Sequence, residues 1–231
     1  MEISKEAKRG RRSGLATAEF YHEENKLVAS AVAELAVKVV AYKKKHGTSV
    51  VLLTGCNAAC GTSRTSVNLA IALSDCGFKT LLINADLQAE SNLKNGFSEY
   101  IQGDSTIDNV ISKTNLSNLY FVPNGTQTEK SALLLSSEKV VNFISSAKES
   151  HDYVIIDCPS IDVSPNAFAM FANVDGIILV CSLNKTTKKQ IINAKNAIKP
   201  YFGKYYGMVV HSMEARRYKR YLQRRKWRVT E

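Results

Sequence analysis

Two hydrophobic periods divide the chain. From Glu23 to about Lys45, Leu27, Ala31, Leu35, Val39 and Tyr42 recur every three or four residues, which predicts an amphipathic helix. His46-Gly47 supplies its stop, since glycine is favoured just past a helix C-terminus. The period then changes. SVVLLTG (Ser49 to Gly55) is a short unbroken apolar run of the kind found in a parallel strand buried on both faces. A loop of small residues follows, then a helix over about Ser63 to Cys76 carrying Val67, Leu69, Ala70 and Leu73, stopped by Gly77.

The same alternation repeats downstream. KTLLINAD (Lys79 to Asp86), NLYFVPNG (Asn118 to Gly125), DYVIIDCPS (Asp152 to Ser160), GIILVCS (Gly176 to Ser182) and YGMVVHS (Tyr206 to Ser212) read as strands. Helices are expected around Ser136 to Glu149 and Thr187 to Ile198, and Leu87 to Gly125 is largely polar. Strands alternating with helices predict an α/β fold, a mainly parallel central sheet with helices on both faces in three layers. Ligands on such sheets bind outside the carboxyl ends of the strands, and each unusual segment below falls at one of those ends.

Composition adjusts this picture only at the ends. An apolar share of 45% and a charged share of 23% over 231 residues are ordinary for one globular domain. No stretch reaches the roughly 20 apolar residues of a membrane span, and the basic start lacks the apolar run of a secretory signal. A cytoplasmic location with five reduced cysteines is the expectation. Cys56 and Cys60 form a C-x3-C pair without nearby histidines, so small buried or loop-lining thiols are expected rather than a structural metal site. The net charge of +10 is concentrated in two segments. Arg216 to Arg228 holds eight basic residues and no acidic one, and residues 1–12 hold five basic and two acidic, leaving a near-neutral body. The expected organisation is a mobile basic arm (1–20), a P-loop domain (21–213) and a basic aromatic tail (214–231).

The loop TGCNAACGTSRTSVNLAIAL (Thr54 to Leu73) has the setting of a phosphate-binding loop, in which backbone N–H groups and a helix N-terminus surround an anion. Gly55, Gly61, Thr62, Ser63 and Arg64 are its candidate nucleotide-binding residues, and the Ser63 hydroxyl is placed to meet Mg2+. A working loop also carries a lysine after the glycine, reaching the β- and γ-phosphates. Thr62 stands there instead.

The run VVLLTG…GTSRTSVNLAIALSDCGFKTLLINADLQ resembles the start of the bacterial tyrosine kinases (BY-kinases) of capsular and exopolysaccharide systems, themselves similar to the MinD/ParA deviant-Walker ATPases. Asn68-Leu69-Ala70, Gly77-Phe78-Lys79 and Leu81-Leu82-Ile83 match that pattern in spacing. HDYVIIDCPS resembles its Walker B segment, and FVPNG followed by SALLLSSE its P-x-G…E-L-L-x-S segment. LVCSLNKTTKKQ resembles the turn near the adenine. The resemblance runs from Ser49 to Met213 and implies a P-loop NTPase-like fold using ATP or ADP with Mg2+. It implies Ser63, Asp86 and Asp157 as metal positions, Asp86 and Asp157 as the inherited catalytic positions, and Asn184 and His211 beside the nucleotide.

The departures bear on chemistry. Besides Thr62, the first aspartate of the Walker A′ segment is Asn84 and its closing arginine is Gln88. The helix before the first strand lacks the arginines of the family's E-x2-R-x2-R ring motif. The tail offers Tyr218 and Tyr221 in place of a tyrosine-rich cluster. One charge-assisted hydrogen bond contributes about 1.5–3 kcal/mol, so losing the lysine weakens nucleotide binding without abolishing it. Phosphoryl transfer depends on positioning and charge neutralisation, and Asn84 cannot serve as a base. Little or no phosphotransfer or ATP hydrolysis is expected. Lys185 and the pair Lys188-Lys189 read as solvated, and Asn68 as structural.

The expected role is therefore a degenerate kinase-like component of polysaccharide assembly. Its partner would be a membrane-bound co-polymerase acting as kinase activator, or an active kinase paralogue, with a homo-oligomer as a further arrangement. The tail, with Tyr218, Tyr221, Leu222 and Trp227 among arginines, suits an anionic membrane surface and peripheral attachment at its inner face better than nucleic acid. The alternatives are an active polysaccharide-biosynthesis autokinase that borrows a lysine such as Lys185, or a MinD/ParA-like positioning ATPase.

Overall fold

The computed structural model describes residues 26–91 and 93–211. Its first half runs α1 (Lys26–His46), β1 (Val50–Gly55), α2 (Thr62–Asp75), β2 (Thr80–Asn84), α3 (Phe97–Gln102), α4 (Ile107–Val110), β3 (Ser112–Lys113) and β4 (Leu119–Val122). The second half runs α5 (Ser131–Leu135), α6 (Glu138–Ser150), β5 (Tyr153–Asp157), α7 (Asn166–Phe171), β6 (Gly176–Ser182), α8 (Lys188–Ala197), a 3-10 segment (Lys199–Lys204) and β7 (Tyr205–His211). The N-terminal arm, the start of the predicted first helix and the basic tail lie outside the described residues.

Side-chain alternation along the strands feeds two separate cores. Val50 and Leu52 of β1 pack with Leu81, Ile83, Val154 and Ile156, under α3, α6, α7 and α8. Val51 and Leu53 pack with Leu82, Tyr153 and Ile155, beneath α1 and α2. Because both faces are covered, the strands read as continuous apolar runs. All six strands other than β3 run parallel in the order β4-β2-β5-β1-β6-β7, and two-residue β3 adds antiparallel to β4 at the edge. This is the predicted three-layer α/β fold.

Several elements of the polar middle escape the sequence pattern. α3, α4 and α5 are four to six residues long, too short for a helical period to show. α6 begins at Glu138, later than the predicted Ser136, because α5 and its C-terminal turn occupy the preceding residues.

Two contacts anchor the sheet at the ends of strands opposite the loops of interest. Asp175 Oδ2 accepts from the Ser49 and Val50 N–H groups at 2.9 and 3.0 Å and pairs with Lys148. Tyr42 of α1 stacks on Tyr206 of β7 with ring centroids 4.0 Å apart, and the Tyr206 hydroxyl meets the Thr48 hydroxyl.

Candidate functional site

The parallel strands all end on one edge, at Gly55, Asn84, Val122, Asp157, Ser182 and His211. β1 lies between β5 and β6, where the chain order reverses, which is the place such sheets bind ligands.

Local sterics shape the loop after β1. A Cβ on Gly55 would lie 2.4 Å from Cys60 Sγ and 3.0 Å from Ser160 Cβ, so the strand end admits only glycine. Ala59 and Gly61 take left-handed backbone angles, φ 54° and 92°, turning the chain into α2. That helix has no side-chain N-cap, and the first N–H groups of such a helix are left for an anion. Thr62 lies at its first position, but Thr62 Oγ1 sits 3.3 Å from Cys60 Sγ. The hydroxyl is engaged within the loop, and its side chain is too short to do what a lysine does there. Ser63 is exposed and Arg64 half-exposed on the same first turn.

Behind α2 lies Asp157, 7% exposed at the end of β5. Ser66 Oγ donates to its Oδ1 at 3.3 Å, and Ser63 also bonds to this carboxyl. Burial pushes the Asp157 carboxyl up to about 7, Ser63 and Ser66 opposing the rise and Asp86 adding to it. Asp86, partly buried, is raised by burial against the Gln88 and Ala89 N–H groups. A serine hydroxyl and two carboxyls form the hard oxygen donor set that Mg2+ prefers. Their raised affinity for protons is what an unneutralised acidic pair in low dielectric displays. The residues fit Mg2+ on these grounds.

Asn84, in register with Asp157 across β2 and β5, is turned to another task. Its Oδ1 accepts the Asp86 N–H at 3.0 Å and fixes the turn that presents Asp86. Asn124 holds that turn from the next strand, donating to the Asp86 and Ala89 carbonyls at 3.1 and 2.9 Å, while Gln127 donates to Gln88 O at 2.8 Å. Asn124 and Gln127 carry no signal in the sequence beyond the strand-ending Asn-Gly.

The predicted residues of β6 and β7 divide. The His211 ring covers Gly61: a Cβ there would lie 2.5 Å from His211 Cδ2. Asn184 is exposed in a left-handed turn, φ 65°. Thr186 ties that turn to the loop: its Oγ1 donates to Asn57 Oδ1 at 2.5 Å and accepts the Ser182 N–H at 2.7 Å. Ser182 Oγ, 2% exposed, has no hydrogen-bond partner among the described residues. By alternation with Ile178 and Val180 it belongs to the α2 face. Lys185, Lys188 and Lys189 are exposed.

Cysteines line the loop's underside. Cys56, Cys60, Cys158 and Cys181 are buried, whereas Cys76 is exposed at the end of α2. Burial pushes the Cys56 thiol up to about 12, with Cys181 and Cys60 adding, so it is a packing group and not a nucleophile.

Comparison with known proteins agrees with this arrangement. The AAA domain family model matches residues 55–200. Tyrosine-protein kinase CpsD of Streptococcus agalactiae serotype III is 30% identical over 174 residues, covering 71% of this chain and 74% of that protein. The kinase domain of the Escherichia coli tyrosine kinase ETK superposes with a TM-score of 0.80 at 20% identity, over 91% of this chain and 85% of that one. The septum site-determining protein MinD of Pyrococcus horikoshii, complexed with Mg-ADP, superposes at 0.60 and 20% identity, over 71% and 70%. A P-loop edge, its sheet order and these likenesses together place the chain in the bacterial tyrosine-kinase family of AAA-domain proteins.

Proposed function

We propose that this chain binds Mg2+ and an adenine nucleotide and acts through regulated association rather than phosphotransfer, as a degenerate tyrosine-kinase-like component of capsular or exopolysaccharide assembly. Support comes from what the site keeps and what it lacks. Gly61, Ser63, Asp86 and Asp157 preserve a loop, a hydroxyl and two carboxyls for a metal-bound polyphosphate. Thr62 is folded onto Cys60 where a lysine would reach the phosphates, and this observation carries the reading. Asn84 adds to it, since its amide holds a turn and has no basic form.

Binding and chemistry make different demands. Roughly 1.5–3 kcal/mol for one lost charge-assisted bond leaves weakened affinity. Phosphoryl transfer depends on in-line placement and charge neutralisation together, and here two contributions are missing at once. A protein of this kind works by presenting a nucleotide-dependent surface. The partner we assign is a membrane-bound polysaccharide co-polymerase or an active kinase paralogue at the cytoplasmic side of the membrane. No helix among the described residues is long and apolar enough to cross a bilayer. The basic tail or the partner is the attachment we assign.

The test is a calorimetric titration with ADP and ATP, with and without Mg2+, run beside an autophosphorylation assay with labelled ATP. Saturable Mg2+-dependent binding with no phosphotyrosine is the expected result. Robust labelling that disappears in Asp157→Ala would overturn the pseudoenzyme reading.

A further inference from the structure

The two edges of the sheet are built differently. At one, β3 is two residues long, runs antiparallel and carries exposed Lys113, a short charged strand of the kind that blunts an edge. At the other lies β7, seven residues long, whose sequence YYGMVVH holds no proline, lysine, arginine or carboxylate. Its outer side meets no strand among the described residues. The register shift against β6 falls between Ile177 and Ile178, so Gly207 to His211 run regularly beside Ile178 to Ser182.

Alternation along this regular stretch sorts backbone and side chains alike. His211 O accepts the Leu183 N–H at 2.8 Å, so the polar backbone groups of His211 point toward β6, as do those of Val209. Those of Met208 and Val210 point outward. The same two residues expose apolar side chains, by 37% and 50%. They lie beside Leu179 and Cys181, on the sheet face that α8 packs against, and α8 leaves them uncovered. An open hydrogen-bonding row and an uncovered apolar pair thus occur at the same positions.

We infer that β7 is an interaction surface for a second copy of this chain, the two strands pairing antiparallel about a twofold axis at Val209 and joining the sheets edge to edge. A twofold interface sets residue i against j and j against i, so the strand must be its own complement. With the axis at Val209, Met208 of each copy faces Val210 of the other, and Gly207 faces His211. The Met208–Val210 pairs exchange N–H···O=C bonds, and the two Val209 residues form the close pair between them. Both exposed apolar side chains are covered by each other. An axis at Met208 instead sets Val210 against Tyr206, which packs on the opposite face. His211, whose ring covers Gly61, lies at the end of the paired stretch, so association holds down the strand end that closes the loop.

The experiment is sedimentation equilibrium of the full-length chain at physiological salt. There a Debye length of about 8 Å screens the exposed α8 residues Lys188, Lys189 and Lys195 of the two copies from one another. A concentration-dependent equilibrium between monomer and dimer is expected. Met208→Lys or Val210→Glu alone should weaken association by about ten-fold or more, because the twofold axis places each unpaired charge in the interface twice. Combining them should restore association, since the introduced lysine of one copy then faces the introduced glutamate of the other in both pairs. Both sites are exposed in the single chain, so the dilute variants should melt close to the parent. The reversed charges, Met208→Glu and Val210→Lys, give a second reading of the same pairs. A parent that stays monomeric at every concentration would overturn the inference. So would a dimer indifferent to both single substitutions, or a loss that the combined variant does not recover.

Discussion

Asn84 and Asp157 form the last register pair of β2 and β5, an amide beside a buried carboxyl. The pairing spares the site a second charge at that point, since an amide places no carboxylate against Asp157. Asn84→Asp restores a carboxylate there. In EDTA at pH 8 this variant should melt several degrees lower than the parent, through like-charge repulsion in a desolvated site. Millimolar Mg2+ should recover most of the loss. Scanning fluorimetry with and without Mg2+ checks it, and a Mg2+-insensitive melting point would contradict the proposed metal position.

Asp157 sets a pH dependence of definite sign. Its folded value of about 7 lies above the ordinary aspartate value of about 3.9. The folded state therefore holds a proton that the unfolded state releases, and stability is lost as pH rises between those values. Asp157→Asn removes this penalty. The variant should match the parent near pH 4, become progressively more stable up to about pH 7, and keep a constant advantage above it. Urea denaturation across that range is the measurement. Saturating Mg2+ should narrow the advantage, because metal binds the ionised parent.

Gly61→Ala tests the closure of the loop by the last strand. The new methyl meets the His211 ring and forces alanine into φ 92°. A left-handed alanine costs about 1–2 kcal/mol, and the clash adds to it. Gly61→Ala combined with His211→Ala should regain the clash contribution but not the backbone one. Chemical denaturation of the two variants separates these contributions, and full recovery in the double variant would contradict the backbone argument.

Tyr42 and Tyr206 provide a coupling test far from the loop. Their stacked rings join α1 to β7, and aromatic pairs contribute about 0.5–1.5 kcal/mol beyond area burial. A double-mutant cycle with Tyr42→Ala and Tyr206→Ala should give a coupling energy in that range. Tyr206→Phe should show a smaller loss, reporting the hydroxyl contact with Thr48. Additive single effects would mean that the stack does not hold the helix to the strand.

Much of the scaffold was legible because burial on both faces leaves a mark in sequence. Val50 to Leu53, Tyr153 to Ile156 and Gly176 to Cys181 are near-continuous apolar runs, and each is a strand. The small elements were not legible, since α4 has four residues and β3 two, barely one period of either pattern and too few for a repeat to show. In the site, Gly61 and Ser63 could be placed from their distance past a strand. Thr186 bonding to Asn57 could not, nor could Asn124 holding the Asp86 turn. Those contacts join loops from different strands, and no local spacing encodes them. Asn184 is exposed in the turn that Thr186 ties to Asn57; spacing identified that turn but not which of its side chains bonds across to the loop.

The cover of Gly61 by His211 also dictates an order of events during synthesis. The loop emerges early, yet its lid is the final residue of the last strand, and β1 must wait for β5 and β6 before either of its edges is paired. At about 5–20 residues per second, the ribosome needs roughly 8–30 s to pass from one to the other. Until β5 and β6 emerge within that interval, β1 is an apolar segment with two open edges. A chain stalled before β7 therefore presents an unfinished loop, one stalled before β5 an aggregation-prone strand as well, and the arrival of His211 is what converts the sequence at Gly61 into a site.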